Sequence, residues 1–295
     1  MTNRCFDRIH PVVAFCYFVA VLVVTMFSVN PIVIILSFAF GLLFCGEICG
    51  WGKPASDLPL TLAFMLLVTI VNPLFVHKGD TILFFLNDNP VTLEALLYGV
   101  NMSFMLAAVL YWCKSLTRVI SADKVVYLFG GVLPKLSVVL NMAIGFIPRF
   151  KRRYNQISNA QKALGIYCGK GIVDKISMKL RVFGILLTDS LESGVITADS
   201  MRARGFGLKG RTNYSPYVFT FENALLLGLE VGCALACVVI FILGGGKFAF
   251  YPTLTQDVFG LKNVLLYCFA TVLFAVGTIC EWKEDIRWHY LKSTI

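Results

Sequence analysis

Six stretches of this sequence are apolar and long enough to cross a bilayer, and they limit what the chain can fold into. They cover residues 11–29, 31–49, 58–76, 91–113, 222–243 and 261–280. A helix needs ~20 mostly apolar residues to cross ~30 Å of hydrocarbon. Lipid offers no partner to a backbone amide, so each stretch must close its own hydrogen bonds as a helix. Composition agrees with this reading. The chain is 58% hydrophobic and 15% charged, where soluble domains run at ~45–50% and ~25%. Mean hydropathy is +0.77. These values exclude a disordered chain, a secreted disulfide scaffold and an ordinary nucleic-acid binder. The expected fold class is an all-α integral membrane protein of about six transmembrane helices. Arg4 and Arg8 before an apolar run imitate a signal peptide. No small-x-small cleavage site follows, so the first helix is expected to be retained.

Charge divides the chain into three parts. Residues 1–113 hold four spans and residues 222–295 hold two spans and a short tail. Residues 114–221 carry 17 of the 26 basic residues against five acidic ones, too much charge for lipid. Placing this middle segment in the cytoplasm and alternating the spans leaves 23 basic residues inside and three outside (Lys78, Lys247 and Lys262). That asymmetry is the positive-inside pattern, and it puts both termini in the cytoplasm.

The middle segment reads as helices. Ser121 is a helix cap before a short helix to Phe129, and Gly130-Gly131 ends it. Pro134 opens a longer helix with Leu136, Val139, Leu140, Ala143, Ile147, Phe150, Tyr154, Ile157, Gln161 and Leu164 along one stripe. A kink is expected at Pro148. A second long helix, from Ile172 to Arg204, has Ile176, Leu180, Phe183, Leu187, Leu191 and Val195 in its stripe. Each is ~45 Å long at ~1.5 Å per residue. Neither stripe is stable in water, so each must meet the other helix, the membrane surface or a partner. The two ends repeat: Lys162-Ala163-Leu164-Gly165 is followed 40 residues later by Arg202-Ala203-Arg204-Gly205. Ordinary glycine caps with a nearby cation account for such ends as well as a shared function does.

With these features in place, the sequence resembles the transmembrane T component of energy-coupling factor (ECF) transporters, prokaryotic ATP-driven importers of vitamins and transition metals. The resemblance is carried by Asp7-Arg8-Ile9-His10-Pro11, Ser28-Val29-Asn30-Pro31, Leu133-Pro134-Lys135 and Phe146-Ile147-Pro148. It is carried most specifically by Ser200-Met201-Arg202-Ala203-Arg204-Gly205-Phe206. Ala160-Gln161-Lys162-Ala163-Leu164-Gly165 is similar to the family's first Ala-Arg-Gly-type motif. Leu164 stands where that motif carries Arg, so a charged contact there would fall to Lys162.

The resemblance implies a scaffold in the plasma membrane. Its two long coupling helices, the first starting at Pro134 and Lys135, would dock their C-terminal motifs on two ABC-type ATPases. Its membrane part would hold one or more small substrate-binding S components within the lipid. ATP and Mg would be bound by the partners and no cofactor by this chain. Arg204 is expected to carry the principal ATPase contact, with Arg202 in support.

The residues themselves add exclusions. No G-x-x-x-x-G-K-[ST] loop occurs; Gly244-Gly245-Gly246-Lys247 is followed by Phe248. The chain is therefore expected not to be an enzyme. No catalytic triad, paired carboxylates or D-D-x-x-D motif is readable. The three histidines are scattered and the ten cysteines form no C-x-x-C, so no metal site is expected. Glu230 falls about nine residues into its span. An intramembrane carboxylate is a functional candidate, with Asn72 and Asn101 as possible partners. It carries the alternative reading, a secondary transporter. Gly228, Gly232 and Ala236 suit either internal helix packing or an S-component contact.

Overall fold

The computed structural model describes residues 6, 9–76, 79–86, 89–130, 133–165, 171–208, 217–251 and 260–293. Its helices are α1 (Pro11–Phe27), α2 (Pro31–Cys49), α3 (Gly52–Phe75), α4 (Leu93–Val119), α5 (Ala122–Gly130), α6 (Pro134–Ala163), α7 (Ile172–Ala203), α8 (Phe221–Ile242) and α9 (Leu261–Ser293). The chain divides into two compact units, residues 1–121 with 217–295, and residues 122–216.

The first unit is a bundle of apolar helices. Five of them, α2, α3, α4, α8 and α9, are long and apolar enough to cross a membrane. The sixth expected span appears as α1, an apolar helix of 17 residues. At ~1.5 Å per residue it measures ~26 Å, at the lower limit for crossing. Its ends explain the length. His10 caps the start, its Nδ1 accepting from the Val12 N–H at 3.3 Å, and Pro11 occupies the position that needs no donor. Asn30 repeats the device for α2, accepting from the Ile32 N–H at 3.1 Å ahead of Pro31. The α1–α2 turn is tied down twice more. Asn101 donates to the Val29 carbonyl at 2.9 Å, and Asn30 donates to the Tyr267 hydroxyl at 2.9 Å.

α1 buries one face in this bundle, packed on α4 and α8, while α2 packs on α4 and α9. Val13, Ala14, Tyr17, Phe18 and Val21 are fully buried. Around them Phe6, Phe44, Trp112 and Phe274 form an aromatic cluster, with tilted and edge-on rings 5.4–6.4 Å apart. The cluster satisfies its polar atoms internally. Trp112 Nε1 donates to the Ser37 carbonyl at 3.2 Å, Tyr17 Oη donates to the Phe274 carbonyl at 3.3 Å, and the Thr25 and Ser37 hydroxyls meet at 2.7 Å. Within hydrocarbon these bonds specify which helices meet, because lipid removes the usual hydrophobic drive between them.

Two departures from the sequence expectation belong to this unit. The region expected as a loop between α3 and α4 contains an antiparallel pair, β1 (Ile82–Leu86) and β2 (Asn89–Thr92), with Phe85 opposite Pro90. The run Ile82-Leu83-Phe84-Phe85-Leu86 has the bulky residues that favour a strand. α4 also runs past residue 113 to Val119, carrying Lys114 to an ion pair with Asp57.

The second unit holds α5, α6 and α7. α6 has 30 residues and is continuous through Pro148; α7 has 32. The Ser137 hydroxyl donates to the Val126 carbonyl at 3.1 Å and ties α6 to α5.

The tightness of the first core gives a test. A Cβ at Gly277 would overlap the Tyr17 hydroxyl and lie 3.1 Å from Phe44, whereas one at Gly228 would meet nothing within 4 Å. Gly277→Ala should therefore destabilise the protein by about 1–3 kcal/mol. Gly228→Ala should be neutral or slightly stabilising. Thermal unfolding of both variants in detergent reads the difference.

Candidate functional site

The candidate site is built on α6 and α7. Their apolar stripes face outward. Val139 and Ile147 on α6, Leu164 just past its end, and Ile172, Leu180, Leu191 and Val195 on α7 each expose more than three-fifths of their surface. The two helices therefore do not bury their stripes on each other. They meet through polar groups instead. Arg153 donates from Nε to Asp189 Oδ2 at 2.9 Å and from a terminal nitrogen to Oδ1 at 2.6 Å. This bidentate fork is the strongest geometry available to such a pair. It lowers the Asp189 pKa below the usual 3.8, first through the hydrogen bonds and also through the guanidinium charge. Sequence reasoning missed the pair. The residues are 36 positions apart and no local pattern joins them.

The two helices end alike. Gly165 and Gly205 adopt positive φ values of 70° and 79°. The Gly165 N–H donates to the Lys162 carbonyl at 3.1 Å, and the Gly205 N–H to the Arg202 carbonyl at 3.0 Å. At the second end the Phe206 N–H also reaches the Met201 carbonyl at 3.0 Å, completing a Schellman cap. A positive φ suits glycine, because a Cβ would crowd the backbone there. The repeated basic-Ala-x-Gly spacing is thus a repeated cap geometry, with the first basic residue at the same cap position each time.

This geometry exposes the cations. Ala160, Lys162, Ala163 and Leu164 are exposed at the end of α6, while Gln161 is buried. Arg202, Ala203 and Arg204 are exposed at the end of α7. Neither arginine has a carboxylate partner among the described residues. Pro134 opens α6 and Lys135 follows it, but their side chains lie outside the described residues. So do Asp7 and Arg8 of the N-terminal motif; its His10 serves as the α1 cap.

Glu230 lies apart, in α8. It is 2% exposed, and its Oε2 has no hydrogen-bond partner among the described residues. Cys16, Tyr17 and Cys280 are its electrostatic neighbours. The two asparagines considered as partners are engaged elsewhere. Asn72 donates to the Ala95 carbonyl at 2.8 Å and Asn101 to Val29. Gly228 and Gly232 face open space, while Ala236 of the same stripe is half-buried. The buried face of α8 is Asn223, Glu230, Cys233 and Cys237.

Comparison with known proteins agrees with this architecture. Residues 3–214 match the family model CbiQ, described as cobalt transport protein. The ECF transporter transmembrane protein EcfT 1 of Listeria monocytogenes is 26% identical over 196 residues, covering 62% of this chain and 70% of that protein. EcfT of Streptococcus equi is 23% identical over 237 residues, covering 75% of this chain and 84% of that protein. EcfT of Lactococcus lactis is 25% identical over 175 residues, covering 55% and 66%. The chain belongs to the CbiQ family, as the multi-pass transmembrane T component of an ECF transporter. The family match ends at residue 214, before α8 and α9.

The Arg153–Asp189 bridge predicts a specific pH response. A carboxylate with a lowered pKa keeps its contact above its ordinary value and loses it as the pH falls through the lower one. Spin labels at Asn159 and Val195 should report a narrow α6–α7 distance distribution from about pH 8 to about pH 5. Broadening should begin only below the ordinary carboxylate value of 3.8. Asp189→Asn should broaden it at every pH, and the reversed pair Arg153→Asp/Asp189→Arg should restore it.

Proposed function

We propose that this chain couples ATP hydrolysis in two ABC-type ATPase subunits to micronutrient import through a membrane S component. The observation that carries the proposal is the pair of long helices, α6 and α7, with outward apolar stripes and exposed basic ends. A helix of this kind needs an external surface to cover its stripe. An arginine at a capped helix tip is suited to a carboxylate in a groove, because its planar fork bonds bidentately. Arg204 makes the principal contact and Arg202, two positions away, reaches a different face. At the end of α6 the contact falls to Lys162, since Leu164 brings no charge. Ala163 and Ala203 are small enough for close approach.

The membrane unit receives the S component. The small-residue stripe of α8, with Gly228 and Gly232 exposed and Ala236 half-buried, supports a closely packed helix there. ATP and Mg belong to the ATPases, and the chain itself binds no cofactor and catalyses no reaction. The substrate is a vitamin or a transition-metal ion. The protein resides in the plasma membrane of a prokaryote with both termini in the cytoplasm, as the 23-to-3 division of basic residues supports. A relay through Glu230 draws less support, since Cys16, Tyr17 and Cys280 are the groups that interact with it electrostatically among the described residues.

The test is co-purification from the native host in mild detergent. The tagged chain should bring down two Walker-motif ATPases and one or more small, very apolar membrane proteins. Arg204→Ala should weaken ATPase association by about 2–5 kcal/mol, and Arg202→Ala by less. Unchanged association and uptake in Arg204→Ala would overturn the assignment.

A further inference from the structure

We propose that the groove between α6 and α7 binds the phosphate headgroup of an anionic phospholipid. The groove is a cavity of about 630 Å³ lined by Phe146, Arg149, Arg152 and Arg153 on one wall and by Ser190 and Ser193 on the other. Arg152 and Arg153 stand three and four positions beyond Arg149, so each neighbours Arg149 on the helix surface, and all three line the groove. Like charges so placed repel, and among the described residues a carboxylate answers only one of them. Asp189 holds Arg153 through both oxygens. Arg149 lies 5.4 Å over the Phe146 ring, a contact that orients the guanidinium without neutralising it. Arg152 has no carboxylate partner among the described residues. Two uncompensated cations thus face one concave space, and a single phosphate can accept from both planar forks.

The surroundings favour a lipid as the source of that phosphate. Ile147 and Phe150, beside the arginines, are exposed apolar side chains. Basic and apolar residues interleaved along one helix are the pattern of a segment at a membrane interface. In sequence, two residues separate the end of the membrane helix α4 from the start of α5, the first helix of this unit. The basic segment also belongs to the leaflet side where anionic lipids attract cations. An acyl chain would cover Ile147 and Phe150, which an acidic protein side chain or a free phosphate would leave bare. The inference rests on the membrane topology and is independent of the ATPase contacts at the helix ends.

Native mass spectrometry of the full chain in mild detergent tests it, with dioleoylphosphatidylglycerol and dioleoylphosphatidylcholine as probes. The phosphatidylglycerol should bind more tightly. Arg149→Gln/Arg152→Gln should weaken it by about tenfold or more. Lys151→Gln/Lys179→Gln removes the same charge outside the groove and should leave binding within about twofold. Circular dichroism checks that both variants keep their helix content. Equal weakening in the two variants would mean diffuse attraction and would overturn the site. Loss of phosphatidylglycerol to millimolar inorganic phosphate would identify a free-phosphate site instead. Binding unaffected by the groove variant would leave the arginines to an acidic protein partner, and the lipid site would fall.

Discussion

Two helices of 30 and 32 residues carry apolar stripes that lie largely exposed among the described residues. That unmet burial is the constraint on which the rest depends. A Leu or Ile left in water forgoes ~1.5–3 kcal/mol relative to burial, and each stripe holds several. Were the stripes packed on each other, the segment would be a closed hairpin with no surface to offer. A polar pin, Arg153 with Asp189, instead joins the helices while leaving the stripes outward. The family to which the chain belongs works as one part of a transporter complex, and an incomplete surface is what a subunit of such a complex should present.

The membrane unit supplies the opposite quality. Its centre is closed: α1 buries an aromatic cluster, and the polar atoms of Trp112, Tyr17, Thr25 and Ser37 bond to neighbours inside it. The α1–α2 turn is fixed from three directions by Asn30, Asn101 and Tyr267. A bundle stapled in this way holds its helices in a fixed arrangement. Glu230 Oε2 is one of several buried oxygens, Ser28 Oγ and Glu47 Oε2 among them, with no hydrogen-bond partner among the described residues, and leaving such an oxygen unpaired costs ~1–3 kcal/mol.

Much of the fold was legible in the sequence, for reasons that differ by element. The spans were readable because lipid demands a composition no soluble helix needs. The break at Asn30-Pro31 between the first two spans was readable because proline lacks a donor, whereas the His10 cap on the first helix was not. The ends at Gly165 and Gly205 were readable because a positive φ selects glycine. The missed features depend on what lies across space. The Ile82–Leu86 strand had no partner in view until Asn89–Thr92 folded back on it. The Gly228 stripe reads equally as inside or outside until its neighbours are placed. Asn72 and Asn101 were plausible partners for Glu230 by type, but each is held by a nearer carbonyl. The Arg153–Asp189 pair left no local trace at all. Of the candidate site, the motif residues and their caps were legible, and the feature that joins the two helices was not.

The central claim is that the ends of α6 and α7 are docking points. A photo-crosslinking amino acid placed at Ala163 and at Ala203, in the full chain in its native membrane, tests it most directly. The account predicts that both positions label Walker-motif ATPase subunits. Labelling at both positions confined to lipid, or to the small membrane partner, would contradict it.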